Sequence, residues 1–302
     1  MGEKAFESRA EGNPELGEFL QSSDSRVLRD IFERAAKDAG HAHAADLPGA
    51  DRIDESTGFY GEYHPDGKRV SLNILRIKGA AEALGVDWQP LAQKIFIHEN
   101  VHAFTDRGTQ KGRMADHNSL GYQETDRIKF TPLGMAFYQL WNEGCTELWA
   151  RRLFREYQAE SRGMSDADVD SFFEKIAGKK GTGAQDPYED EVELVKTFSE
   201  YLAKEHHLNA AVMEQSVIEG MITGEMLQEP DSLKILEKIL PPHFLEDLKN
   251  TDYHATARRL TKELKARMEK PQSARVPTNS FTRRLLRIAE SIMESQSHLH
   301  GS

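Results

Sequence analysis

The sequence predicts a mainly α-helical fold with a minor β component (α+β), and three observations lead there. Apolar residues recur at the spacing of one helix face along most of the 302-residue chain. Between Thr57 and Ile74 the pattern changes to alternation on either side of His64-Pro65-Asp66-Gly67, the signature of a small antiparallel hairpin. From Leu208 to Ser297 only Gly224, Pro230, Pro241-Pro242 and the stretch from Pro271 to Pro277 interrupt the helical pattern. The expected organisation is a disordered lead-in over residues 1–22, a core over 23–207 and an α-helical C-terminal region over 208–302.

Residues 1–22 are polar and acidic with no clear period. From Asp24 to Ala39, apolar residues at 27, 28, 31, 32, 35 and 36 describe an amphipathic helix closed by Gly40. His41 and His43 behind it read as solvated histidines at a helix end, with a metal-binding H-x-H pair as the alternative. The hairpin strands are Thr57 to Tyr63 and Lys68 to Ile74. Gly79 to Leu84 suits a short helix stopped by Gly85, and Asp87 caps the next, with Pro90 in its first turn and its end at Thr105 or Asp106. Arg107 to Thr131 is rich in Gly, Asp, Asn, Gln and Thr and lacks a period, so it is expected to be a long functional loop. A second long helix is expected from Pro132 to Gln158, and Ser165-Asp166-Ala167-Asp168 opens a short one through Phe172, Phe173 and Ile176. Gly178 to Gly183 mixes glycine and lysine but lacks G-x-x-x-x-G-K-[ST] and a preceding strand, which excludes a P-loop. Pro187-Tyr188 starts a further helix with Val192, Val195, Phe198 and Leu202 on its apolar face.

Hydrophobic residues at 38% and charged residues at 29% describe a soluble, charge-rich chain, and no apolar run reaches the ~20 residues a membrane span needs. The N-terminal residues have no secretory core segment, so the cytoplasm is the expected location. A net charge of -11 disfavours nucleic acid as a partner. The local basic run Arg258-Arg259, Lys262, Lys265, Arg267, Arg283-Arg284 and Arg287 is mixed with Glu263, Glu269 and Glu290 and reads as a solvated helix face. The single cysteine, Cys145, excludes an intrachain disulfide and fits a reducing compartment. It reads as a small buried apolar side chain, with a nucleophile as the alternative.

The chemistry concentrates in two stretches. Ile95-Phe96-Ile97-His98-Glu99-Asn100-Val101-His102-Ala103-Phe104 contains H-E-x-x-H. On a helix His98 and His102 share a face one turn apart and can grip one Zn²⁺, while Glu99, about 100° round, can reach a water on the metal as general base. Without a metal the two imidazoles would be hydrogen-bonded core histidines. Leu140-Trp141-Asn142-Glu143-Gly144-Cys145-Thr146-Glu147-Leu148-Trp149 puts Glu143 and Glu147 on one helix face against Phe137, Leu140, Cys145, Leu148 and Trp149. Carboxylates held against an apolar wall need a cation. Glu143 then serves as third zinc ligand, and Glu147 accepts the far N–H of a ligand imidazole. Three protein ligands leave an open position, as catalytic zinc sites do. Asp116 or His117 in the 107–131 segment stays open as a replacement for Glu143.

These residues resemble the zincin metallopeptidases of the gluzincin type, in which H-E-x-x-H is followed on the next helix by N-E-x-x-[ST]-[DE], here Asn142-Glu143-Gly144-Cys145-Thr146-Glu147. The likeness runs from about Thr57 to Tyr201, with one departure: the connection from His102 to Glu143 is longer than in most members. The resemblance implies a zincin-like core, zinc ligands His98, His102 and Glu143, Glu99 as base, and peptide or protein as substrate. It also implies a Tyr or His that stabilises the oxyanion: Tyr188 is the candidate, His206 and His207 its rivals, and a purely structural Tyr188 the alternative. A strand edge beside the active-site helix pairs with substrate in the family, which points to residues 68–74, with a hairpin that merely covers the core as the alternative. The rival functional class is a zincin-derived domain that binds metal or a protein partner without catalysis.

Overall fold

The computed structural model describes residues 14–38, 50–52, 59–65, 68–111, 115–120, 123–128, 134–137, 139–177, 188–223 and 253–269. Most of these are helical, as expected. The chain divides into two compact units, residues 1–106 with 147–187 and residues 107–146 with 188–302, and the division falls inside one long helix.

The first unit begins with α1 (Pro14–Ser22) and α2 (Ser25–Asp38). Helix α1 corrects the expectation of a disordered lead-in over 1–22 for its second half. Leu16 and Phe19 are fully buried, and the Phe19 ring meets Phe96 edge-on at 5.8 Å. Two apolar residues one turn apart were too sparse a signal for a helix that lives on tertiary contact. Asp24 caps α2 by accepting from the Arg26 and Val27 amides, and its own N–H donates to Tyr157 Oη at 2.8 Å.

The hairpin is present: β2 (Gly61–His64) pairs antiparallel with β3 (Arg69–Leu72), and β1 (Ala50–Arg52) joins parallel on the other side of β3. The order β1-β3-β2 makes β3 the central strand, so the expected substrate edge at 68–74 is corrected. With β3 paired on both sides, β2 is an outer strand. Residues 73 and 74 leave the strand early because Asn73 caps α3 (Ile74–Leu84), its side chain accepting from the Arg76 amide; Gly85 closes that helix in the left-handed conformation, φ 68°.

Asp87 caps α4 (Trp88–Thr105) as expected, and α5 spans Gln139–Arg162. Within this unit Phe32, Phe104 and Trp149 form a ring cluster with centroids 5.4 to 5.8 Å apart, joining α2, α4 and the later part of α5. Between α4 and α5, Gln158 Nε2 donates to Gln93 Oε1 at 2.8 Å, a buried bond. Helix α6 (Asp166–Ala177) starts on a capping box in which Ser165 and Asp168 bond reciprocally. Phe172 and Phe173 both pack on Phe154.

The second unit holds a four-stranded sheet in the order β4 (Asp106–Lys111), β5 (Ala115–Leu120), β6 (Gln123–Ile128), β7 (Gly134–Phe137). Its β5–β6 and β6–β7 pairs are antiparallel. Strands over 106–111, 115–120 and 123–128 therefore stand where a loop over 107–131 is expected, and β7 places the described start of the second motif helix at Gln139 rather than Pro132. Polar strands with no apolar alternation give no period to read. Helices α7 (Glu189–His206), α8 (Ala210–Thr223) and α9 (Tyr253–Met268) also belong to this unit. Arg258 and Lys265 of α9 reach Asp190 and Glu193 of α7. Among the described residues no helix is long and apolar enough to cross a membrane.

Two close fits in this unit are measurable. Gly144 of α5 lies against α7 so tightly that a Cβ there would stand 2.7 Å from the Glu191 carbonyl oxygen and 2.9 Å from Val195 Cγ2, whereas a Cβ on the exposed Gly79 of α3 would meet nothing within 4 Å. Glu191 itself has a side chain only 1% exposed, with His254 Nδ1 3.0 Å from its Oε1. Burial pushes its carboxyl up, against the opposing pull of His254, to about 7. Alanine raises helix propensity at either glycine by up to ~1 kcal/mol. Urea unfolding is expected to show Gly79→Ala stabilised, and Gly144→Ala destabilised by about 1–3 kcal/mol because the clash wins. For Glu191, a folded pKa above the unfolded one means stability complete below the ordinary carboxyl value of 4.5 and lost as pH rises through about 7. Glu191→Gln is expected to exceed the parent by roughly 2–3 kcal/mol at pH 8, with the gap closing at pH 4.

Candidate metal centre

Helix α4 buries polar residues along its length: Lys94, His98, Glu99, Asn100 and His102 are each 8% exposed or less. Such a helix cannot be explained by apolar burial, since each charged or imidazole group loses its water and needs a partner. The i, i+4 spacing sets the His98 and His102 rings edge-to-face, centroids 4.9 Å apart. Glu143 of α5, 8% exposed, completes the group: one ligand atom from each of His98, His102 and Glu143 lies within 4.8 Å of the others.

Glu147, one turn beyond Glu143 on α5, is the fully buried hub behind this group. His98 Nδ1 stands 3.0 Å from its Oε2, while Lys94 Nζ and Arg151 Nε each stand 2.8 Å from its Oε1. Burial alone would push the Glu147 carboxyl up, but Lys94, then His98 and Arg151, hold it well below the usual carboxylate range. An ionised carboxylate only accepts, so His98 Nδ1 carries the proton and donates it to Glu147. A neutral His98 then keeps the lone pair on Nε2 for a metal. Glu147 thus stands where it can receive the far N–H of one candidate ligand imidazole. Lys94 and Arg151 were missed, although each stands four residues from a motif residue, the spacing at which helix neighbours meet.

Glu99 follows His98 on the helix and is 8% exposed. Strand β2 crosses α4 beside it: a Cβ on Gly61 would stand 3.1 Å from Glu99 Oε1 and from its Cγ, and 2.6 Å from Ile95 Cγ2. Two residues along, Tyr63 Oη donates to Asp106 Oδ2 at 2.7 Å, which ties β2 to the residue that ends α4.

The other expected candidates fall as follows. Cys145 is buried, and burial first, then the charge of Glu214, pushes its thiol well above its ordinary value, which disfavours the nucleophile alternative. Tyr188 occupies the N-cap of α7, with no capping bond from its side chain. His207 closes α7 in the left-handed conformation, φ 56°. Asp116 and His117 pair with Arg127 and Asp126 across β5 and β6, and the direction of their side chains, like that of His206, lies outside the described features. His41, His43, Arg283-Arg284 and Arg287, and the terminal His298 and His300 lie outside the described residues.

Two imidazoles and a carboxylate, all buried, form a mixed nitrogen and oxygen donor set that suits Zn²⁺ and other borderline divalent ions. The residues present therefore fit a metal. Compared with known protein families, with curated proteins and with solved structures, the chain gives no match. Removing the hub tests the arrangement. Glu147→Gln removes the buried carboxylate charge that stands 2.8 Å from the Lys94 ammonium, itself 5% exposed. Chemical denaturation is expected to show a loss of roughly 3–5 kcal/mol, and metal titration of the folded fraction an affinity lower by about 10–100-fold.

Proposed function

We propose that this protein is a zinc-dependent peptidase of the gluzincin type, and that His98, His102 and Glu143 hold the ion. The observation that carries the reading is the buried His98, His102 and Glu143 group with Glu99 next in chain to one of its members. A zinc ion in that group would acidify a bound water and polarise a carbonyl.

The chain's own residues supply the rest. Glu99 takes the proton from the attacking water and gives it to the leaving amine. Glu147 holds His98 in one tautomer and one ring orientation, because Lys94 and Arg151 fix the carboxylate that receives its N–H. Strand β2, rather than β3, lines the substrate path, since it is an outer strand of its sheet and passes Glu99. A peptide aligned there would bond through main-chain groups, which gives affinity without strict sequence choice. Tyr188 is the proposed oxyanion donor. The reading includes a cytoplasmic setting, supported by a single buried cysteine and no disulfide chemistry.

Zinc analysis of the purified protein, with digestion of a broad peptide library with and without chelator, tests this directly. One zinc per chain and chelator-sensitive cleavage are expected. Zinc without cleavage would favour a metal-binding domain that has lost catalysis. Glu99→Gln should keep the metal and lose turnover by about 10²–10⁴-fold; hydrolysis at the parent rate would reject the mechanism.

A further inference from the structure

The contact between β2 and α4 is closer than side chains normally permit. At Gly61 the strand backbone approaches the helix so nearly that an added methyl would stand 2.6 Å from Ile95 Cγ2 and 3.1 Å from both Cγ and Oε1 of Glu99. The first separation is below what packed carbons adopt, and at the second the carboxylate would have to give way to the methyl. Gly61 is half-buried, paired with Leu72 across the hairpin, and not part of a turn. Glycine inside a strand weakens it, and a common reason for keeping one is close approach of another group. Here that group is the carboxylate assigned to proton transfer.

The strand cannot back away freely. Tyr63 points the same way as Gly61, is 8% exposed, and is bonded through its hydroxyl to Asp106. Val70 and Leu72 of β3, opposite Tyr63 and Gly61, are fully buried and hold the hairpin down. Between these anchors the backbone at Gly61 forms a wall along one side of the Glu99 side chain. Glu99 has several rotatable bonds, and the space beside it at Gly61 is too small to take even a methyl without contact at 3.1 Å, which limits the orientations that turn toward the strand.

We propose that Gly61 is a positioning residue for Glu99: the bare strand backbone seats directly on α4 and confines the carboxylate to the orientation that serves proton transfer. The inference rests on the peptidase reading for the purpose of that orientation, though not for its existence. A methyl at this position shifts the strand or turns Glu99, and a displacement near 1 Å in a proton-transfer group costs up to about 10²-fold in rate.

The test compares Gly61→Ala, Gly61→Ala/Ile95→Ala and Glu99→Gln with the parent protein. The readings are metal content, thermal midpoint, kcat and KM on a cleaved library peptide, and the pH midpoint of the visible spectrum after Co²⁺ substitution. Removing the Ile95 side chain relieves the 2.6 Å contact and leaves the Glu99 contact in place. Gly61→Ala is expected to bind one metal, to lose kcat by about tenfold or more with KM within about twofold, and to move the Co²⁺ midpoint toward that of Glu99→Gln. The double variant should regain thermal stability but keep the lowered kcat and the moved midpoint. Should Gly61→Ala fail to fold, the double variant carries the same readings. Parental kcat and midpoint in a folded Gly61→Ala, or their return together with stability in the double variant, would overturn the proposal by reducing Gly61 to a packing residue. If the parent cleaves no peptide, the peptidase reading falls and the Co²⁺ midpoint alone decides whether Gly61 orients Glu99.

Discussion

The buried carboxylate of Glu147 is the interaction on which the arrangement depends. It draws Lys94 and His98 from α4 and Arg151 from its own helix onto two oxygens with no solvent exposure. Taking one carboxylate, one ammonium and one imidazole out of water is costly unless their geometry is mutually satisfied. Once satisfied, it fixes the axial register of α4 against the later part of α5. A slip of one residue in either helix would pull Lys94 and His98 away from the Glu147 carboxylate. The ring cluster of Phe32, Phe104 and Trp149 supplies burial energy without such discrimination, because aromatic faces tolerate sliding. Apolar contact thus makes the helices meet, and the Glu147 network decides where.

A second constraint follows from how polar α4 is. Lys94, His98, Glu99, Asn100 and His102 leave little apolar surface on the faces that carry them. Asn100 turns back on its own helix, its Nδ2 donating to the Phe96 carbonyl at 2.8 Å, and Thr105 does likewise to Val101. The helix is therefore held by its neighbours more than by its own propensity. That is the economy expected of an element placed for chemistry rather than for stability.

Much of this was legible in the sequence, and the reasons differ by residue. His98, His102 and Glu99 could be read because helical spacing alone puts them where they are. Glu143 and Glu147 could be read because two acids in an apolar run demand a cation. Asp87 and Gly85 announced the helix ends they occupy. What escaped depends on distant pairing. Strand β1 is too short to signal itself, so nothing in the sequence marked β3 as central. Strands β4 to β6 have a loop-like composition and are recognised by their pairing within the sheet. Helix α1 shows two buried residues and no more. Gly61 read as a hairpin residue, because the helix it touches lies more than thirty positions downstream.

The absence of sulfur from the metal group has a consequence for how the protein would age. His98, His102 and Glu143 bind through nitrogen and oxygen, and the one cysteine of the chain, Cys145, is enclosed and held as a neutral thiol. Peroxide and thiol-exchange reagents, which empty thiolate-held zinc sites by oxidising the ligands, find no comparable target here. The centre's vulnerability lies instead with acid, which protonates imidazole and carboxylate and releases any ion they share.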